Sequence, residues 1–149
     1  CRAVTDIALR LGAALYESGG DVNLTLVRAA GLLHDAAKSK PDHAQAAADM
    51  LQTMGFPEVA DAVGQHMDVR IQKDRPPNAA EIIYLADKLV QGNQRVDLEA
   101  RFERKSAKYG HDPHARAAIV RRKADAVTIR ERIQGITGRS VSASCSMSV

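Results

Sequence analysis

Residues 24–38 read LTLVRAAGLLHDAAK, an apolar run that ends in His34, Asp35 and Lys38. Apolar side chains fall on nearly every side of this segment. The pattern therefore predicts a helix from about Asn23 to Lys38 that is buried at the centre of the core. Ionisable residues follow the run directly, where burial is costly unless they are paired or bind a metal. The stretch thus predicts a buried helix with a polar site at its C-terminal end.

The segments on either side also follow a helical pattern. Val4, Ile7, Leu11 and Leu15 recur at three- and four-residue steps and predict a first helix over residues 1–16. Further helices are predicted at about 43–54, 57–66, 78–91, 98–108 and 113–135. The expected N-caps are Asp42 and Asn78, and the expected buried stripe of the last helix is Ala117, Val120, Ala124 and Val127. No segment alternates convincingly as a strand, so the fold class is all-α, a single bundle of five to seven helices.

Length and composition limit the classes of function. The 149 residues suit one domain, expected over residues 1–138, followed by a Ser-rich tail over 139–149 that is expected to be disordered. A net charge of +3 with 3% aromatic residues fits a small anionic substrate and argues against nucleic acid. No apolar run is long enough for a membrane span. Cys1 and Cys145 offer no local disulfide framework, which favours the cytoplasm.

Asp87 is the most unusual single residue, because it lies within the apolar run Leu85-Ala86-Asp87-Lys88-Leu89. Aspartate is a poor residue for a helix interior, and a carboxylate in apolar surroundings needs a cation. A divalent ion would satisfy Asp87 together with His34 and Asp35, and imidazole with carboxylate ligands suits Mn, Fe, Co, Ni or Zn. Each residue alone has a simpler interpretation: a salt bridge for Asp87, and ordinary helix-end positions for His34, His43 and His66.

The ordered series is more specific than its members. Leu32-Leu33-His34-Asp35-x-x-Lys38, then His43 opening a helix, His66 closing the next, and Ala86-Asp87-Lys88 resemble the HD-domain superfamily of metal-dependent phosphohydrolases. The arrangement is particularly similar to HD-type diadenosine-tetraphosphate hydrolases. The resemblance implies that His34, Asp35 and Asp87 bind the metal. It further implies that His43 and His66 belong to a site that holds one or two ions or contacts phosphate.

The resemblance also bears on what surrounds the domain. Arg2-Ala3-Val4 is similar to the segment that follows a further histidine ligand in this family, which places that histidine just ahead of Cys1. The sequence is therefore expected to be a piece of a longer chain. Residues 84–102 resemble HD modules fused behind nucleotidyltransferase domains, which implies a possible nucleotidyltransferase domain upstream.

Two functions follow as expectations. In the first, the chain hydrolyses a phosphate ester or anhydride of a nucleotide. Asp35 and Lys38 act in catalysis, and Lys38, Lys88 and Arg95 contact the substrate. In the second, it is a non-catalytic HD-type module that binds a nucleotide or metal and regulates an attached nucleotidyltransferase. A purely structural bundle is a third interpretation, which treats the aligned polar residues as coincidence.

Overall fold

A computed structural model describes residues 2–142 of the chain. Its elements are α1 Arg2–Glu17, α2 Leu24–Leu33, α3 His43–Thr53, α4 Pro57–Gly64, α5 Ala79–Lys88, β1 Val90–Gln91, β2 Gln94–Arg95, α6 Leu98–Tyr109 and α7 Pro113–Thr137. The all-α prediction is confirmed. The strands form a small antiparallel hairpin in which Val90 pairs with Arg95, and Gly92 in its turn takes a positive φ of 63°.

The central helix is α5 rather than α2. It packs against α1, α2, α4 and α7, and residues 82–86 are completely buried. In α2, Val27, Ala30 and Gly31 are buried, whereas Leu32 is 51% exposed. The prediction that α2 is the buried centre is therefore wrong. Apolar composition on all sides of a helix does not require burial on all sides, because folded proteins leave much apolar surface in contact with water.

Helix α2 also ends at Leu33, earlier than the predicted Lys38. The chain continues through tighter turns, with backbone hydrogen bonds from Ala36 to Leu33 and from Lys38 to Asp35. Such i to i−3 hydrogen bonds are those of a 3₁₀ turn, which is common at the C-terminus of an α-helix. The early end places His34 and Asp35 in a turn, where two adjacent side chains can face one point.

Other element ends differ in ways that matter for the site. Helix α4 ends at Gly64, so His66 follows the helix instead of closing it, and Asp87 lies in the last turn of α5 rather than mid-helix. The Asn78 N-cap is confirmed, since its side chain accepts a hydrogen bond from the Glu81 amide. Asp42 occupies the predicted N-cap position of α3, but its side chain makes no capping hydrogen bond and its φ of 50° is left-handed. The position is therefore confirmed, and the expected side-chain cap is not formed.

The buried stripe predicted for α7 is wrong as well. Its buried residues are Ile119, Ala126, Ile129 and Ile133, while Ala117, Val120 and Ala124 are exposed and Val127 is partly buried. Helix α7 contacts α1, α5 and α6, and only that side of it needs apolar residues.

The chain beyond α7 is described as far as residue 142, and Val141 is buried in the core. The rest of the predicted tail, residues 143–149, lies outside the described residues, as do both cysteines. Among the described residues, no helix combines the length and apolar character that crossing a bilayer requires.

Candidate metal centre

The end of α2 is held close to α1 by Gly31. A Cβ at this position would lie 2.8 Å from Thr5 Oγ1 and 3.0 Å from Thr5 Cα, so a larger residue would force the helices apart. The Gly31 carbonyl lies 2.7 Å from His34 Nδ1. If this nitrogen carries the proton and donates to the carbonyl, Nε2 is left as an acceptor that points into the site.

His34 Nε2 faces two carboxylates. It lies 3.5 Å from Asp87 Oδ1 and 3.6 Å from Asp35 Oδ2. Three acceptor atoms that approach one another in this way repel, unless a proton or a metal ion lies between them. Donor atoms bound at about 2.1 Å to one ion are themselves roughly 3–4 Å apart, so these separations are those of neighbouring ligands.

His66 follows α4 much as His34 follows α2, with its Nδ1 near a carbonyl three residues earlier in the chain. Its Nδ1 lies 2.7 Å from the Val63 carbonyl, and its Nε2 lies 3.2 Å from His43 Nε2 and 3.9 Å from Asp35 Oδ1. The rings of His34 and His66 meet edge to face with centroids 5.2 Å apart. Within the described residues, Asp35, His43 and His66 form a compact donor set, with ligand atoms all within 4.8 Å of one another.

The five predicted metal ligands therefore meet in one continuous cluster, in the order Asp87, His34, Asp35, His66 and His43. Contact between Asp35 and Asp87 is indirect, through His34. The compact donor set centres on the two other histidines rather than on the predicted trio of His34, Asp35 and Asp87. The assignment of individual ligands stays a prediction.

Lys88 lies behind this cluster. It is 2% exposed, and its Nζ lies 3.0 Å from Asp87 Oδ2 and donates to the His66 carbonyl at 2.7 Å. The ammonium also lies 4.2 Å from the centre of the Tyr84 ring. The expectation that Lys88 contacts substrate does not match this interior location. Its contacts instead hold Asp87 and His66 relative to each other.

Arg101 also contacts the backbone of the cluster, which the sequence did not predict. From α6, its Nη1 donates to the Asp87 carbonyl at 2.7 Å and to the Val90 carbonyl. Carbonyls at a helix C-terminus lack partners within the helix, and a basic side chain can satisfy them. No local pattern around Arg101 signals this role, because the contact depends on how α6 docks against the end of α5.

The surroundings tune the charged groups of the cluster. Burial raises the pKa of Asp87, but the charge of Lys88 and the contact with His34 outweigh burial and hold that pKa far below its usual value. Burial lowers the pKa of His34, yet the hydrogen bond to Asp87 raises it above the ordinary value on balance. Burial lowers the pKa of His66. At neutral pH Asp87 is therefore ionised and His66 neutral, which are the forms that bind metals.

The cluster reaches solvent through its carboxylates. His34 and His66 are 1% exposed, whereas Asp35 is partly exposed and Lys38 is 77% exposed, with its Nζ 3.5 Å from Asp35 Oδ2. Arg95, expected to contact substrate, lies on β2 and lines a separate cavity that contains none of the other predicted site residues. The structure thus brings Lys38 to the site and leaves Arg95 outside it.

The helical fold and the His–Asp cluster together define an all-α domain with a candidate metal site. The chain belongs to the HD domain family, whose model matches residues 1–91, and with it to the superfamily of metal-dependent phosphohydrolases. It is 30% identical over 128 residues to an uncharacterized protein of Methanocaldococcus jannaschii, covering 72% of this chain and 76% of that protein. No solved structure matches significantly.

Proposed function

We propose that the chain is a metal-dependent phosphohydrolase that cleaves a phosphate ester or anhydride of a nucleotide. The observation that carries this proposal is the position of His34 Nε2 between two carboxylate oxygens, at 3.5 and 3.6 Å. Burial lowers the pKa of His34, but the contact with Asp87 raises it on balance, because the carboxylates stabilise positive charge at Nε2. A divalent cation bound by His34, Asp35 and Asp87 would take the place of a proton at this position.

Asp35 supports a site that holds one or two ions. One of its oxygens lies near His34 and the other faces His66, so its carboxylate joins the two parts of the cluster. His43 and His66 would hold a second ion or contact the phosphate. This donor set contains nitrogen and oxygen only, which suits Mn, Fe, Co, Ni or Zn.

The chain's own residues divide the remaining work. A bound ion would lower the pKa of a coordinated water and polarise a phosphoryl oxygen. Asp35 is partly exposed, which supports a role in which it would orient that water and accept its proton. The Lys38 ammonium, at the exposed edge, offsets negative charge on the phosphate as it enters.

Metal content and turnover measured on one set of variants test this proposal. The chain is loaded with Mn, Fe, Co or Ni, analysed by mass spectrometry for bound metal, and assayed on p-nitrophenyl phosphate, bis(p-nitrophenyl) phosphate and a nucleotide panel. Asp87→Asn and Asp35→Asn should each weaken metal binding by more than about 100-fold, since even changes around a ligand cost about 10–100-fold.

The matched control is Asp97→Asn, because Asp97 caps α6 through the Ala100 amide and asparagine caps equally well. It should keep both metal and activity. A wild-type chain that includes the histidine expected ahead of Cys1 and still binds none of these metals would exclude the metal site. Metal binding without turnover across the panel would favour the non-catalytic regulatory module instead.

A further inference from the structure

Helix α6 carries its cations on one face. At about 100° per residue, Arg101, Arg104, Lys105 and Lys108 fall within an arc of roughly 100°, whereas Glu99 and Glu103 fall on the opposite side. Arg101 and Lys105, and likewise Arg104 and Lys108, are four residues apart. Like charges at this spacing destabilise a helix. The arrangement therefore concentrates positive charge at some cost to α6 itself.

These four side chains line a cavity of about 230 Å³ together with Gln91 and Tyr109. No carboxylate lines it, and in the described part of the chain none of the four cations forms an ion pair with one. Arg101 donates to backbone carbonyls, and Arg104 donates to Gln91 Oε1 at 3.1 Å. By contrast, Arg121, Arg122, Arg130 and Arg132 on α7 all pair with carboxylates.

The cations of α6 are not simply a solvated helix surface, as Lys105 shows. Its side chain is half-buried. Burial lowers the pKa of Lys105, and the neighbouring charges of Arg101 and Lys88 lower it further. The charge of Asp87 offsets this only in part, so an anion bound in the cavity would stabilise Lys105 further.

We propose that this α6 groove binds a phosphate group of a small-molecule ligand, as a site separate from the metal cluster. Arginine and lysine together match a phosphate, through fork-shaped and point-charge donors respectively. The cavity has the size of a small ligand, and with Tyr109 as its one aromatic residue it offers no stacking platform for a nucleic-acid strand. The phosphate could be the remote end of a substrate held at the cluster, since Arg101 contacts the Asp87 backbone, or belong to a separate ligand.

Calorimetric titration of metal-free chain with sodium tripolyphosphate tests the groove without relying on the proposed activity. The double variant Arg104→Gln with Lys108→Gln should bind at least about tenfold more weakly, because it removes two charged hydrogen-bond donors from the groove. The control is Arg116→Gln with Lys123→Gln on α7, which removes the same charge and should change affinity less than about twofold.

Three results would overturn the proposal: no binding by the wild type, equal weakening in both double variants, or weakening that follows Lys38→Gln at the metal cluster instead. A second measurement, which rests on the proposed function, identifies the source of the phosphate. If the groove holds the remote end of a substrate, the α6 double variant raises KM for ATP but not for p-nitrophenyl phosphate. If the ligand is separate, tripolyphosphate binding is lost while both KM values stay unchanged.

Discussion

The His–Asp cluster and the arginine contacts of α7 contain charged groups of similar kinds, but arrange them differently. On α7, Arg122 donates to both oxygens of Asp68 at 2.9 Å, so the charges are matched, and the Asp68 carboxylate is 52% exposed. In the cluster, His34 and His66 are buried, and their Nε2 atoms face other acceptors. The difference teaches that ion pairs alone do not mark a binding site. Buried acceptor atoms that face one another are what make the cluster a candidate site.

Glu81 is intermediate between the two regions. It is 0% exposed, and its Oε2 pairs with Arg132 of α7, while its Oε1 has no hydrogen-bond partner among the described residues. Arg132 also donates to the carbonyls of Gln72 and Arg75. This contact fastens the segment before α5 to α7. The Glu81–Arg132 pair is therefore buried like the cluster, but its charges are matched like those of the other α7 pairs.

The largest loss in the free energy of unfolding is expected for Lys88→Met. This change keeps a long apolar stem but removes the ammonium between Asp87 and the His66 carbonyl. Breaking a buried charge pair on one side should lower the free energy of unfolding by about 3–5 kcal/mol, as measured by urea denaturation. The control Lys38→Met changes an exposed lysine and should stay within about 0.5 kcal/mol. Equal losses in both variants would contradict the contrast between buried and exposed charge.

An intermediate effect is expected for Glu81→Gln. The amide retains an acceptor for Arg132 but loses the charge, so we expect a loss of about 1–3 kcal/mol in the free energy of unfolding. Metal affinity should not change, because Glu81 makes no contact with the cluster among the interactions described. A large loss of metal binding would show that the α7 contacts and the cluster act as one unit.

The smallest effect is expected for Asp68→Asn, a loss of about 0.2–1 kcal/mol in the free energy of unfolding. The Asp68 carboxylate is 52% exposed, so solvent screens its pairs with Arg121 and Arg122. The hydrogen bond from Arg122 lowers the pKa of Asp68 to about 2. A lowered carboxyl pKa gives stability that is complete above the unfolded value of about 3.9 and is lost as the pH falls towards 2. Denaturation of wild type and variant from pH 6 to pH 2 should therefore give curves that converge at low pH. A constant difference would contradict this assignment.

The sequence predicted the fold class, most helix starts and the meeting of the five polar residues. Helix starts depend on local chemistry such as the Asn78 cap, which is visible in sequence. The errors concern where helices end and which of their faces are buried. The stripe on α7 and the burial of α2 depend on where neighbouring helices dock, and periodicity does not encode that. Lys88 was misassigned and Arg101 was missed for the same reason, since their partners lie elsewhere in the chain: the His66 carbonyl in the segment after α4 and the Asp87 carbonyl at the end of α5.

The donors of the cluster come from the turn after α2, the first residue of α3, the segment after α4 and the end of α5. No short piece of the chain contains them all, so an unfolded chain cannot offer the same site. An ion that binds there binds the native state alone and shifts the unfolding equilibrium by mass action. At a free concentration 100 times its dissociation constant, it would add about 2.7 kcal/mol to the stability of the domain. The melting temperature would then report metal occupancy directly, even before any substrate is known.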